Sequence, residues 1–295
     1  MDGIKPWQAL TIQDDYMFKL IMGRKRLCKK MLEKLLDLKI KRLKYMQEEK
    51  TINTRYEGKG IRLDIYVEDE RKTVYNVEMQ VRKPTGDGLA KRTRYYQSMI
   101  DMDLLAAGED YDELNKTIII FICPFDPIGK GRHIYTFKNI CVQDKDIELG
   151  DGATKIFVNT VGKINDVKPD VKAFLDYVNG IVSDDEFVQE LDAAIKEVKQ
   201  QELEGEKYMT YALKMKEERK EGIEEGKKIG RKEGLKEGLA KGLAQGVAQG
   251  VAQGLAQGMI KTLYSLAKAG EISMEKAAQT AGLSLSLFLE KAKQC

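Results

Sequence analysis

Apolar residues recur along the first part of the chain at two spacings. Over residues 14–38, Met17, Leu20, Ile21, Leu27, Met31, Leu35 and Leu36 fall on one helical face, with Gly23 placed to divide the stretch into two helices. Asp14 and Asp15 follow Thr11 at the start of this stretch, where the first turn of a helix favours negative charge. Two runs of period two come next. Ile61, Leu63, Ile65 and Val67 alternate with Arg62, Asp64 and Tyr66, and Tyr75, Val77, Met79 and Val81 alternate with Asn76, Glu78, Gln80 and Arg82. Such alternation predicts two strands, each with one apolar and one polar face. Residues 89–107 return to helical spacing, TIIIFICPF is apolar enough for a buried strand, and HIYTFKNICV and KIFVNT predict two further strands. A buried strand beside amphipathic strands and helices predicts an α/β core, a mixed sheet flanked by helices.

Beyond residue 180 almost every stretch predicts helix. The expected organisation is an α/β domain over 1–180, a helical linker over 181–221, a repeat arm over 222–258 and a small helical hairpin over 259–295. From Gly222 to Gly258 a glycine stands at every fourth position, ten in all. Ten glycines cost a helix about 10 kcal/mol relative to alanine, so a solitary helix here is marginal. The glycine row drifts about 40° around the helix per repeat and lets two backbones approach closely. The row therefore predicts either a homo-oligomerisation arm or spacer, or a low-complexity tract that frays in places. In the last segment Ala278, Gly282 and Phe288 sit at the small, turn and apolar positions of a helix-turn-helix. Its second helix, LSLSLFLEKAK, offers few side chains that read bases, which favours a packing or protein-contact hairpin.

Composition narrows the chemistry. The 295 residues carry 50 Lys and Arg against 47 Asp and Glu, a formal charge of +3, so a polybasic coat does not organise this protein. One histidine, His133, excludes any site that needs two imidazoles, and four scattered cysteines (Cys28, Cys123, Cys141, Cys295) form no zinc or redox motif. No apolar run is long enough for a membrane span, and the expectation is a soluble cytoplasmic chain with free thiols. Any chemistry must rest mainly on carboxylates.

The polar faces of the first two strands offer such carboxylates. A hairpin whose turn centres on Arg71 places Asp64 opposite Glu78 and Arg62 opposite Gln80. Opposed side chains lie about 5 Å apart at Cβ, close enough for two carboxylates to repel. A hard divalent cation between them removes the conflict, and Mg²⁺ is commonly held by one or two carboxylates plus water and phosphate. Gln80, two residues on, points to the same face. On spacing alone the plainer reading is the commoner one: a hairpin whose polar face meets solvent, its acids neutralised by Arg62 and Arg82.

The order DDYMFK, RLDIYVED, YNVEMQV, RTRYYQSMI and TIIIFICPF resembles the PD-(D/E)XK nuclease family of transposases, also called the recombination-promoting nuclease family. The resemblance covers roughly residues 8–160 and, more loosely, the helical tail. It implies a restriction-endonuclease-like core that cleaves DNA with a divalent metal, Mg²⁺ or alternatively Mn²⁺. By the family's pattern Asp64 is the motif aspartate, Glu78 the second acidic ligand, and Gln80 a catalytic group that orients water or metal. Gln80 stands where the wider superfamily has lysine, although an E-x-Q version is familiar in this branch. The cation that lysine supplied then lacks an owner, and Arg82, Lys83 and Arg94 are the candidates. Asp15 is either an accessory acid of the cluster or a plain helix-start charge.

DNA contact is expected from Arg82, Lys83, Arg92, Arg94 and Tyr95, because arginines hold phosphates while tyrosines stack. One tyrosine of the Tyr95–Tyr96 pair is expected in the core. His133, beside Lys130 and Arg132, suits a phosphate-contacting loop less well than a structural place. The rival readings are a DNA-binding or oligomeric scaffold with a relict nuclease core, and an enzyme of the same fold acting on RNA.

Overall fold

In the computed structural model, which describes residues 3–46, 51–52, 60–86 and 88–294, the helical stretch near the start breaks where the glycine stands. Helix α1 spans Asp15–Met22 and α2 spans Lys25–Leu36, joined at Gly23. Strands β1 Leu43–Tyr45, β2 Thr51–Ile52, β3 Ile61–Arg62, β4 Ile65–Asp69 and β5 Val74–Met79 follow, then α3 Gly88–Leu104. Strands β6 Thr117–Cys123, β7 Ile134–Phe137 and β8 Ala153–Asn159 complete the sheet. Helices α4 Pro169–Val178, α5 Glu186–Lys199, α6 Glu202–Lys268, α7 Met274–Thr280 and α8 Leu285–Gln294 close the chain. Two compact units result, Met1–Leu213 and Lys214–Cys295.

The first unit is built on a mixed six-stranded sheet in the order β1-β4-β5-β6-β8-β7. Strands β5, β6 and β8 run parallel, while β1–β4, β4–β5 and β7–β8 pair antiparallel. The period of two sends alternate side chains into two separate cores. Ile65, Val67, Tyr75, Val77, Met79, Ile120 and Ile122 meet α1, α2, α4 and α5 on one side, and Tyr66, Val74, Ile119 and Phe121 meet α3 on the other. The first core does not stop at residue 180. Phe187, Val188 and Leu191 of α5 and Tyr208 of α6 are buried in it. Asp185 caps α5, its carboxylate accepting from the N–H groups of Phe187 and Val188 at 3.0 Å each.

The β4–β5 turn is where the sequence puts it. Asp69 organises it by accepting from the N–H groups of Arg71 and Thr73 and from the Tyr75 hydroxyl. One expectation fails beside it. Residues 61–69 are not one strand, because the chain breaks between β3 and β4, and β3 pairs with β2 in a separate two-stranded ribbon. Ile61 and Leu63 therefore join the core under α3, whereas Ile65 and Val67 join the opposite one. Arg62 accordingly does not face Gln80. Its backbone partner is Thr51, and the Gln80 N–H donates to the Ile122 carbonyl at 2.9 Å.

In the second unit the glycine row lies within the continuous helix α6. Among the described residues, a Cβ added at any glycine from Gly222 to Gly258 meets nothing within 4 Å. Leu235, Leu239, Leu243, Val247, Val251 and Leu255 stand exposed beside that row. The helix ends against α7 and α8, where Ile260, Ala277, Ala278 and Phe288 form a small core. With open space at each glycine, Gly242→Ala and Gly246→Ala should each stabilise the helix by about 1 kcal/mol, delaying the loss of helical circular dichroism on heating. Destabilisation instead would show that these glycines serve a close backbone contact.

The described cysteines, Cys28, Cys123 and Cys141, are free thiols, and Cys295 lies outside the described residues. Among the described residues no helix is long and apolar enough to cross a membrane.

Candidate active site

The register of the β4–β5 hairpin brings the two central carboxylates together. Ile65 pairs with Val77, so Asp64, one residue before β4, adjoins Glu78 in β5. The backbone between β3 and β4 is held by these side chains in place of ladder bonds. The Asp64 N–H donates to Glu78 Oε1 at 3.2 Å, and the Met79 N–H donates to Asp64 Oδ2 at 3.2 Å. The strand break thus has a cause: Asp64 exchanges a strand's usual bonding for contacts with its carboxylate partner. A solvent-facing hairpin is not what forms, because every residue of β5 is buried and Glu78 is only 3% exposed. Helix α3 covers that face, with Tyr96, Met99 and Ile100 buried in its core.

Two cations reach the carboxylates from opposite directions. From α3, Arg92 donates to Glu78 Oε2 at 3.2 Å, to Gln80 Oε1 at 2.6 Å and to the Tyr96 hydroxyl at 2.6 Å. Its guanidinium also lies over the rings of Tyr96 and Phe121, at 4.8 Å and 5.3 Å from their centroids. From α1, Lys19 Nζ lies 3.1 Å from Asp64 Oδ1 and 3.0 Å from Asp15 Oδ1. Tyr211 of α6 donates to Asp15 Oδ2 at 2.6 Å.

Burial outweighs these cations at the centre of the cluster. It pushes the Asp64 carboxyl up to about 6, with Lys19 opposing and the Asp15 charge adding to the rise. Burial and the neighbouring Asp64 charge push Glu78 up to about 8, against the pull of Arg92. At Asp15 burial also works against the charge, yet Lys19 and the Tyr211 hydroxyl hold its carboxyl below the ordinary range. Lys19 is partly buried too, which disfavours its charge, but Asp64 and Asp15 keep its ammonium above the usual lysine value.

The residues expected at the site divide into two groups. Asp64, Glu78, Gln80, Arg92 and Asp15 are linked through the contacts above. Arg82, Lys83, Arg94 and Tyr95 form the second group, and all four are exposed. The Arg82 backbone carbonyl accepts from the Gln80 amide. Tyr96, not Tyr95, is the core tyrosine of the pair. His133 is 2% exposed, its Nδ1 lies 3.0 Å from Asp166 Oδ1, and Gly162 packs against its ring. That is a structural setting.

Two members of the cluster were not anticipated. Lys19 had a local signal, since it follows Asp15 by four positions and so shares its helix face. Tyr211 had none, because 196 residues separate it from Asp15.

A buried Glu78 whose proton affinity the adjoining, partly buried Asp64 raises suits a hard cation, which would relieve their repulsion. The donor set is spare: among the described residues no group of three or more His, Cys, Asp or Glu side chains is gathered for a metal. Two carboxylates nevertheless fit Mg²⁺, which binds through one or two and keeps several waters.

Residues 12–233 match the family described as PD-(D/E)XK nuclease family transposase, more than half of the chain, and the chain belongs to that family. No curated protein and no solved structure matches it.

Proposed function

From that membership, we propose that the chain is a metal-dependent endonuclease that hydrolyses phosphodiester bonds in DNA, with Asp64 and Glu78 as the metal ligands. The observation that carries this reading is a pair of adjoining carboxylates, Glu78 buried and Asp64 partly so, whose charges conflict as long as nothing divalent joins them. A bound Mg²⁺ or Mn²⁺ would supply a water made acidic enough to attack and would offset charge on the phosphate oxygens. Gln80, its carbonyl oxygen held by Arg92, orients its amide at the edge of the cluster. Lys19 fills the place of the superfamily's lysine: it arrives from α1 instead of β5 and sets its ammonium against Asp64. Arg94, Tyr95, Arg82 and Lys83, exposed at or near the start of α3, contact the DNA backbone.

The rival reading, a DNA-binding scaffold with a relict core, draws on the same cations, which already balance part of the acidic charge. Supercoiled plasmid incubated with Mg²⁺, Mn²⁺ or EDTA separates the two. The expected result is metal-dependent nicking that disappears in Asp64→Asn. Retained DNA binding with no cleavage under either metal would decide for the scaffold.

A further inference from the structure

Helix α6 begins inside the first unit, and one of its side chains reaches the acidic cluster. We infer that Tyr211 is a positioning residue of the active site, acting through Asp15 to keep Lys19 shared between two carboxylates so that it does not lock onto Asp64. The inference rests on reading Asp64 and Glu78 as the metal ligands.

The contacts form a chain of short links. The Tyr211 hydroxyl donates to Asp15 Oδ2 at 2.6 Å. Asp15 Oδ1 lies 3.0 Å from Lys19 Nζ, and Lys19 Nζ lies 3.1 Å from Asp64 Oδ1. The Asp15 side chain is 44% exposed, whereas those of Lys19 and Asp64 are 14% and 12% exposed. Asp15 is thus the member of the chain with most freedom to swing outward, and the Tyr211 hydroxyl opposes that swing.

The ring that carries the hydroxyl is itself fixed. Its centroid lies 5.3 Å from that of Tyr16, and the Arg62 guanidinium sits 5.6 Å from it on the ring face. Tyr16 in turn packs on Tyr208, one helical turn before Tyr211, with centroids 5.4 Å apart. Tyr208 donates to the Lys5 carbonyl at 2.7 Å, which ties the start of α6 to the N-terminal segment. A rigid aromatic cluster therefore presents one hydroxyl to one carboxylate beside the site.

Without that hydroxyl, Asp15 turns toward solvent, and Lys19 is left with Asp64 as its single carboxylate partner. The Lys19–Asp64 pair tightens in a partly buried setting, where charge attraction is stronger than in water. A divalent cation must then displace the ammonium to reach Asp64, and affinity for the metal falls. Residues that orient ligands in this indirect way change metal affinity or activity by about tenfold or more when removed.

The test uses the full chain and four proteins: the parent, Tyr211→Phe, Asp15→Asn and the double variant. Phenylalanine keeps the ring contacts with Tyr16 and Arg62 and removes only the hydroxyl. Mg²⁺ affinity is read by titration calorimetry on the metal alone, and plasmid cleavage is read in parallel. Tyr211→Phe should weaken Mg²⁺ binding by about tenfold and slow cleavage by a similar factor. Asp15→Asn should do the same, and the double variant should be no worse than Asp15→Asn, because Tyr211 acts only through Asp15. Unchanged Mg²⁺ affinity in Tyr211→Phe, or losses that multiply in the double variant, would overturn the inference. The same non-additive pattern in Mg²⁺ binding, with no cleavage by any of the four, supports the positioning role of Tyr211 and overturns the nuclease reading alone.

Discussion

Glu78→Gln should abolish cleavage and at the same time make the metal-free protein more stable. The loss follows from removing one of two carboxylates assigned to the metal, an effect worth several kcal/mol, or about a thousandfold in rate. The gain follows from the electrostatics of the site. Burial, and then the Asp64 charge, lift the Glu78 carboxyl from its ordinary 4.5 to about 8 in the folded chain. Between those values the folded chain holds a proton that the unfolded chain has released. Stability without metal must therefore fall as pH rises through this window, the opposite of a salt-bridged carboxylate. Glutamine cannot ionise and keeps one acceptor oxygen, which serves either the Asp64 N–H or Arg92, the two donors that Glu78 meets with separate oxygens. Its melting temperature in EDTA should exceed the parent's by at least about 2 °C near pH 8.5, with little difference near pH 5. A variant less stable than the parent at the higher pH would mean that the Arg92 pair outweighs the burial of the charge. The same measurement with Mg²⁺ present should reverse the order, because the parent binds the ion more tightly and gains more stability from it.

Much of this architecture is legible from periodicity alone, because one residue sets the hairpin. With Asp69 organising the turn around Arg71, the register of β4 on β5 follows, and with it the adjacency of Asp64 and Glu78. Gly23 marks the α1–α2 break equally well, since it is the one residue without a side chain in an otherwise continuous amphipathic stretch. The break between β3 and β4 escapes periodicity for a physical reason. Ile61, Leu63, Ile65 and Val67 keep perfect alternation, and only the exchange of bonds between Asp64 and Glu78 divides them between two cores. The burial of β5 escapes for another. A strand with Asn76 and Glu78 on one face predicts solvent there, and only α3, folded back over that face, makes it an interior. Tyr211 lies beyond any local pattern, because its meaning comes from the packing of α6 on α1.

Lys19 is where local pattern and tertiary structure meet, and its replacement should separate metal binding from chemistry. Lys19→Met removes the ammonium and keeps an unbranched side chain of similar length. Its charge lies 3.1 Å from Asp64, where it competes with any cation for the same carboxylate. Removing it should tighten Mg²⁺ binding by about threefold to tenfold, since one positive charge near the ion disappears. Cleavage should nevertheless fall by about a hundredfold, the usual consequence of deleting a fixed positive group aimed at charge that develops in the transition state. Neither Glu78→Gln nor Tyr211→Phe shares that signature: loss of the Glu78 carboxylate weakens both binding and cleavage, and loss of the Tyr211 hydroxyl does so more mildly. If Lys19 merely neutralises Asp15 and Asp64, Mg²⁺ takes over that task in Lys19→Met and cleavage stays at the parent level. In that case the cation that replaces the superfamily lysine comes from another residue of the cluster or from its exposed neighbours. Arg92 then becomes the strongest candidate, because its guanidinium already bridges Glu78 and Gln80.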